Sequence, residues 1–235
     1  MAICLIPARG GSKSIPKKNI VNLGGKPMIY YTIKAAQGAK LVDRIIVSTD
    51  DQEIKDVSLS LGAEVPFIRP EKYSHDHAGD LDVLYHFLKW WGHQEDALPK
   101  MIVYLRPDFP FRESRKLDEA IKLYCDNPEV DGLRSVQPSK EMPYKTWKVE
   151  SGYLKMVVGH GDIQDPHNTS RQLFPETFWP IGYVDIFAPE LIMESKRVTG
   201  TNMIPFVIEG PTVNVGSFEE LQVAEEFLAS RRVVE

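Results

Sequence analysis

The sequence predicts an α/β fold, a parallel sheet covered by helices, and three observations carry that prediction. Short apolar runs of strand character alternate with stretches of helical periodicity along most of the chain. The polar clusters Arg9 to Asn19, Thr49-Asp50 and Arg106-Pro107-Asp108 each follow a strand-like run, where the ligands of such sheets bind. The chain, 235 residues with 43% hydrophobic content, is long and apolar enough for one large core.

Taken in order, Ile3 to Ile6 is an apolar run ending in Pro7, and a glycine loop follows at once. Pro27 to Gln37 reads as a helix with proline in its first turn, Ile29, Ile33 and Ala36 sharing a face. Arg44 to Ser48 is a second buried strand. Glu53 to Leu61 is helical and Gly62 stops it, and Val65 to Ile68 reads as a short strand. Asp80 to Trp91 places Leu81, Leu84, Leu88 and Trp91 on one side of a helix. Met101 to Leu105 is a strand, Ser114 to Cys125 a helix and Gly132 to Val136 another strand.

From 137 to 180 the rhythm breaks. Five prolines (Pro138, Pro143, Pro166, Pro175, Pro180) and aromatics such as Tyr144, Trp147 and Trp179 mark an excursion from the sheet. It reads as a lid, a dimer contact or both, within a single domain of residues 1–235. Tyr183 to Phe187 and Pro205 to Ile208 return to strands, and Ser217-Phe-Glu-Glu220 is a capping box opening a last helix, Phe218 to Leu228.

The net charge of −5 argues against a nucleic-acid partner, since a polyanion is repelled unless basic residues cluster strongly. No signal-peptide pattern and no long apolar run occurs, so a cytoplasmic protein without a membrane partner is expected. Cys4, inside the run Ala2 to Ile6, reads as a buried thiol.

Residues Pro7 to Asn19 concentrate Arg9, Lys13, Lys17 and Lys18 around Gly10 and Gly11. Paired glycines let a turn point its amides inward, a geometry that receives anionic oxygens, and converging cations offset the charge of a triphosphate. The spacing is neither Gly-x-x-x-x-Gly-Lys-Ser/Thr nor Gly-x-Gly-x-x-Gly. From charge and glycine content alone, a solvated basic turn remains open as the alternative.

The string Ile6-Pro-Ala-Arg-Gly-Gly-Ser-Lys-Ser-Ile-Pro-Lys-Lys-Asn19 resembles the signature of the acylneuraminate cytidylyltransferases. That family holds the CMP-sialic acid synthetases and the enzymes activating legionaminic and pseudaminic acids, with CMP-KDO synthetases more distant. Arg44 to Asp50, Phe67-Ile-Arg-Pro-Glu71 with Asp76, Leu105 to Arg112 (similar to "LQPTSPLR"), and Arg171-Gln172 with Pro175 and Gly182 agree in order. The resemblance implies a three-layer α/β/α sandwich with a mostly parallel, Rossmann-like nucleotidyltransferase sheet. It also implies a homodimer, with residues 137–180 as the protruding dimerisation or lid segment.

For activity it implies attack of an acidic sugar's anomeric hydroxyl on the α-phosphate of CTP, with Mg²⁺ as cofactor, giving a CMP-sugar and pyrophosphate. By position, Arg9, Lys13 and Lys18 would contact the triphosphate as catalytic cations. Ala8, Gly10, Gly11, Ser12, Asn19, Arg69 and Asp76 would bind the nucleotide, and Arg106, Lys145, Arg171 and Gln172 the sugar.

Several positions depart from the pattern. Ser14 and Lys17 replace glycines, Gly79-Asp80 stands where serines are common, and Trp179 and Ile181 alter the segment before Gly182. Arg106 replaces a glutamine, and an added fixed cation there points to a more anionic acceptor. The two aspartates that hold Mg²⁺ in the family are Asn214 and Gly216 here, leaving Asp50 or Glu209 to substitute, or the metal to arrive on the triphosphate. These departures keep two alternatives open, a different nucleotide or sugar on the same fold, or a catalytically weak binding paralogue. Asp76 and a metal-bound water are the candidate bases. Ser74-His-Asp-His77 with Asp80 and Asp82 reads as a polar rim rather than a metal cluster, His160 and His167 as surface, and Trp90-Trp91 as core packing with partial exposure.

Overall fold

The computed structural model describes residues 1–159, 163 and 165–232. Its elements begin with β1 (Ala2–Pro7), the short strands β2 (Asn22–Leu23) and β3 (Lys26–Pro27), α1 (Met28–Gly38), β4 (Arg44–Ser48) and α2 (Gln52–Ser60). Then come α3 (Asp80–Trp91), β5 (Met101–Tyr104), α4 (Ser114–Cys125), β6 (Gly132–Pro138), β7 (Trp147–Glu150) and β8 (Tyr153–Met156). β9 (Phe178–Phe187), α5 (Pro189–Ser195), β10 (Met203–Val207) and α6 (Phe218–Arg232) complete the chain.

Among the described residues, six strands form one sheet in the order β10-β6-β9-β5-β1-β4. β1 runs parallel to β4 and β5, and β10 parallel to β6, while β9 is antiparallel to both β5 and β6. The sheet is therefore mostly parallel, with one reversed strand where the chain returns from the excursion. Ile3, Cys4, Leu5 and Ile6 are all fully buried, as a strand covered on both faces must be.

On one face, Ile29 and Ile33 of α1, Ile54 of α2 and Leu117 and Ile121 of α4 pack with Cys4, Ile6, Val47 and Val103. On the other, Leu84, Phe87, Leu88 and Trp91 of α3 and Ile192 of α5 pack with Ile3, Leu5, Ile46 and Ile102. This is the three-layer α/β/α sandwich. A third cluster joins Ala224 of α6 to Val213, Val215, Leu23, Met28 and Ile15, so the last helix props the turn after β1 from beneath. The capping box forms: the Glu220 amide donates to Ser217 Oγ at 3.2 Å, and the Ser217 amide donates to the Glu220 carboxylate at 3.1 Å.

Some expectations are corrected. Val65 to Ile68 is not a strand; only Glu64 makes a parallel bridge, to Ile46. Pro66 lacks an amide donor, and the chain follows β4 without a ladder until the Arg69 amide reaches the Thr49 carbonyl at 2.7 Å. Pro27 lies just before α1 as its cap rather than in the first turn. Leu81 is only partly buried, and Val83 and Phe87 widen the apolar face of α3. β9 begins at Phe178, inside the stretch read as excursion.

The remaining excursion carries a separate β7–β8 hairpin whose residues are all exposed, Trp147, Val149, Tyr153 and Leu154 among them. His167 is partly buried, its ring centroid 3.7 Å from that of Trp147, and His160 lies outside the described residues.

Candidate active site

Because β1, β4 and β5 are parallel, the segments after Pro7, Ser48 and Tyr104 meet at one edge of the sheet. The turn after β1 is anchored rather than solvated. The Ala8 amide donates to the Ser48 carbonyl at 2.9 Å, the Gly10 amide to Asp50 Oδ1 at 2.9 Å, and Asn19 Nδ2 to the Arg9 carbonyl at 2.8 Å. Gly10 is required by space, since a Cβ there would stand 2.7 Å from Asp51 Oδ2. Ile15 is buried and pins the far side of the turn.

A cleft of about 200 Å³ opens beside this turn, lined by Arg9, Lys18, Asn19, Arg69, Tyr73, Asp80, Tyr104, Arg106 and Asp108 among others. Arg69 is 3% exposed, its Nη1 donating to Ser48 Oγ over 3.4 Å, with no ion pair among the described residues. Burial pushes its pKa down, against the attraction of Tyr104 and Asp50. A buried guanidinium that faces a cleft and pairs with no carboxylate among the described residues suits an anion.

The predicted cations divide. Arg9 and Lys18 line the cleft, Lys18 paired with Asp108 at 3.1 Å. Lys13 does not; its side chain is 76% exposed and pairs at the mouth with Asp76 at 2.7 Å, and Arg9 reaches the same carboxylate at 3.3 Å. The hydrogen bond from Lys13, helped by the Arg9 charge, holds the Asp76 carboxyl below its usual range, which makes Asp76 a poorer base than expected. Ala8, Gly10, Gly11 and Ser12 stand outside the lining of the cleft, whereas Asn19 and Arg69 belong to it.

Ser74 is not on a polar rim. It is buried and donates to the Pro70 carbonyl at 2.8 Å. Asp82 accepts from the Gly79 amide at the start of α3. Asp80 faces the cleft, accepting from Tyr104 Oη at 3.0 Å and from Arg106 Nη2 at 2.5 Å.

Arg106 is therefore not the free cation expected. Its Nη1 also donates to Asp185 Oδ2 at 2.8 Å. Burial alone would lower the Arg106 pKa, but Asp80 and Asp185 outweigh it and raise it, so the group is charged and already neutralised.

Lys145, Arg171 and Gln172 stand apart from the cleft. Lys145 donates to the Thr169 carbonyl at 2.5 Å and Arg171 to the Ser139 carbonyl at 3.2 Å. Arg171 and Gln172 line a depression that shares no lining residue with the cleft. Asp108, Asp185, Arg134 and Tyr104 went unassigned in the sequence. Asp108 and Tyr104 had a usable signal, since both lie at the carboxyl end of β5.

For a divalent cation, Gly216 offers no side chain, and its amide is bonded to the Glu220 carboxylate at 2.6 Å. Asp50 is committed to the Gly10 amide, and Glu209 is exposed and outside the cleft lining. Among the described residues no group of three or more His, Cys, Asp or Glu is placed to hold a metal. Asp108 and Asn214 do border one hollow, the Val215 amide donating to the Asp108 carbonyl at 2.7 Å, and both carry hard oxygen donors.

A mostly parallel sheet with one reversed strand, and a cationic turn at the carboxyl ends of its strands, define the nucleotidyltransferase class of α/β fold. A solved structure of CMP:2-keto-3-deoxy-manno-octonic acid synthetase complexed with CTP shares that fold, with a TM-score of 0.73 at 17% identity, covering 98% of this chain and 99% of the other. A cytidylyltransferase family model matches residues 3–154, and the chain belongs to that family. The chain is 46% identical over 82 residues to a pseudaminic acid cytidylyltransferase of Campylobacter jejuni, 35% of each chain. It is 32% identical over 197 residues to an N-acylneuraminate cytidylyltransferase of Streptococcus agalactiae, 83% of this chain and 45% of the relative. The matches to the pseudaminic acid cytidylyltransferases thus span about a third of those relatives' length. No helix among the described residues is long and apolar enough to cross a membrane.

Proposed function

We propose that this protein is a CMP-sugar synthetase, joining CMP from CTP to the anomeric hydroxyl of an acidic nine-carbon sugar and releasing pyrophosphate. The observation that carries this reading is the buried guanidinium of Arg69, which has no ion pair among the described residues and faces the same cleft as Arg9 and Lys18. Three cations at one sheet edge suit a triphosphate, and the family and its curated relatives point to CTP and sugar acids. Catalysis on this reading is positioning and charge stabilisation, with no covalent intermediate. Arg9 and Lys18 offset charge growing around the α-phosphate and the departing pyrophosphate, while Lys13 and Asp76 meet the nucleotide at the mouth.

Purified protein is to be incubated with each nucleoside triphosphate, a panel of sugar acids and Mg²⁺, with pyrophosphate release as the readout. Release with CTP and a nonulosonic acid is the expected result. Release with no pair, in protein that binds CTP, refutes the reading and leaves a binding paralogue. The asparagine at 214 and glycine at 216 favour, as a second reading, another triphosphate or acceptor on the same fold, which release with that pair alone would support.

Mg²⁺, when bound, supplies a counter-charge to the triphosphate; the Asp108 carboxylate and the Asn214 amide would hold it together with phosphate oxygens. Replacing Asp108 by asparagine is expected to weaken Mn²⁺ binding to the CTP complex on the order of tenfold, read from the electron paramagnetic resonance signal of free Mn²⁺. Unchanged Mn²⁺ affinity would remove Asp108 from the metal site. The exposed apolar hairpin β7–β8 and the separate placement of Lys145, Arg171 and Gln172 support a homodimer in which the excursion reaches a partner's cleft. A cytoplasmic place in nucleotide-sugar biosynthesis accords with these substrates.

A further inference from the structure

Asp80 and Arg106 are two positions where this chain departs from the pattern it otherwise resembles, and the fold joins them. Arg106 Nη2 meets Asp80 Oδ2 at 2.5 Å, and Nη1 meets Asp185 Oδ2 at 2.8 Å. Asp185 is 2% exposed, and Tyr104 Oη holds the second oxygen of Asp80 at 3.0 Å. Gly182, at φ +72°, lets β9 pass beside the guanidinium; a Cβ there would stand 3.4 Å from Arg106 Nη1. The start of α3, the end of β5 and the reversed strand β9 thus fix one side chain.

Arg106 and Asp80 stand on the wall shared by the cleft and a second hollow of about 300 Å³, which Arg134, Ile181 and Asn214 also border. Arg134 lies 3.6 Å from Asp185 Oδ1, so two arginines face two aspartates and the group has no net charge. A guanidinium held between two carboxylates has little attraction left for a third. What the group offers instead is the part-exposed carboxylate of Asp80 and the remaining N–H donors of Arg106, with the buried Asp185 holding the guanidinium in place. That pattern pairs with hydroxyl and amide groups, and a site built to hydrogen-bond such groups discriminates strongly against analogues lacking them.

We propose that Asp80, Arg106 and Asp185 form one specificity unit that reads the neutral, hydroxyl- and acylamino-bearing flank of the acceptor sugar rather than its carboxylate. The proposal rests on the CMP-sugar synthetase reading. It replaces the more anionic acceptor expected from Arg106 in isolation.

The test is calorimetric binding of three ligands without CTP or metal: N-acetylneuraminate, its analogue with a hydroxyl in place of the acetamido group, and its methyl ester. The proteins are wild type, Arg106→Gln, and the triple variant Arg106→Gln/Asp80→Ser/Asp185→Asn. Arg106→Gln is expected to weaken all three ligands at least tenfold, leaving the acid-to-ester affinity ratio within twofold of wild type. The triple variant is expected to regain the wild-type melting temperature within a few degrees and to change the acetamido-to-hydroxyl preference at least fivefold. Because it removes the Arg106 charge together with both of its carboxylate partners, and leaves only Arg134, which is 28% exposed to solvent, it carries the test if the single variant fails to fold. Loss confined to the acid, or an unchanged preference in the triple variant, overturns the proposal, as does wild-type protein that binds none of the three. Pyrophosphate release from CTP separately decides the activity.

Discussion

Replacing Arg112 by methionine is expected to destabilise the protein by about 4 kcal/mol or more, since each buried polar group left unsatisfied costs about 1–3 kcal/mol. Arg112 is 9% exposed and donates to the carbonyls of Arg106 at 2.7 Å, Gly182 at 3.2 Å, Tyr183 at 2.5 Å and Phe109, as well as to Thr32 Oγ1 at 3.0 Å. Burial presses its pKa down to about 10, partly countered by Asp108, and the side chain remains charged at neutral pH. It ties the segment after β5 to β9, so both walls of the Arg106 unit depend on it. Methionine fills much of the volume and offers no donor. Urea unfolding at neutral pH checks the magnitude; a loss under 1 kcal/mol would mean that water replaces the guanidinium and that the loop stands without it.

For Lys18→Ala, turnover is expected to fall by roughly 10²–10³-fold, the scale of removing one preorganised donor from a developing charge. Lys18 is mostly shielded in the cleft wall beside Asp108, where a cation is worth more than in open water. Lys13→Ala is expected to cost less than tenfold, because its ammonium is exposed and screened. The comparison is made in steady-state pyrophosphate release with CTP saturating. Equal losses for the two variants would show that the mouth closes on the nucleotide and draws Lys13 inward.

Much of the fold was legible because helix and strand periodicities are local. Leu84, Leu88 and Trp91 declare the buried face of α3, and Ser217 with Glu220 declares the start of α6 three residues apart in sequence. Val65 to Ile68 shows the limit. Its composition suits a strand, yet Pro66 removes a donor from the middle of the run that a ladder needs. The turn after β1 was legible as a cationic, glycine-built loop at the ligand-binding edge of the sheet. Which of its cations face the cleft was not, since side chains two to five residues apart in a turn can point to opposite sides.

The sequence by itself determined the order of the elements, the two-sided burial of the central strands and the cationic turn, because each depends on residues close together in the chain. Only the tertiary structure decided that Arg106 is neutralised, that Lys13 stands at the mouth, that Asp108 pairs with Lys18 and that β9 runs against its neighbours. The partners of Arg106 lie 26 and 79 residues away, and pairing across such distances is set by strand order and direction, which no local pattern records.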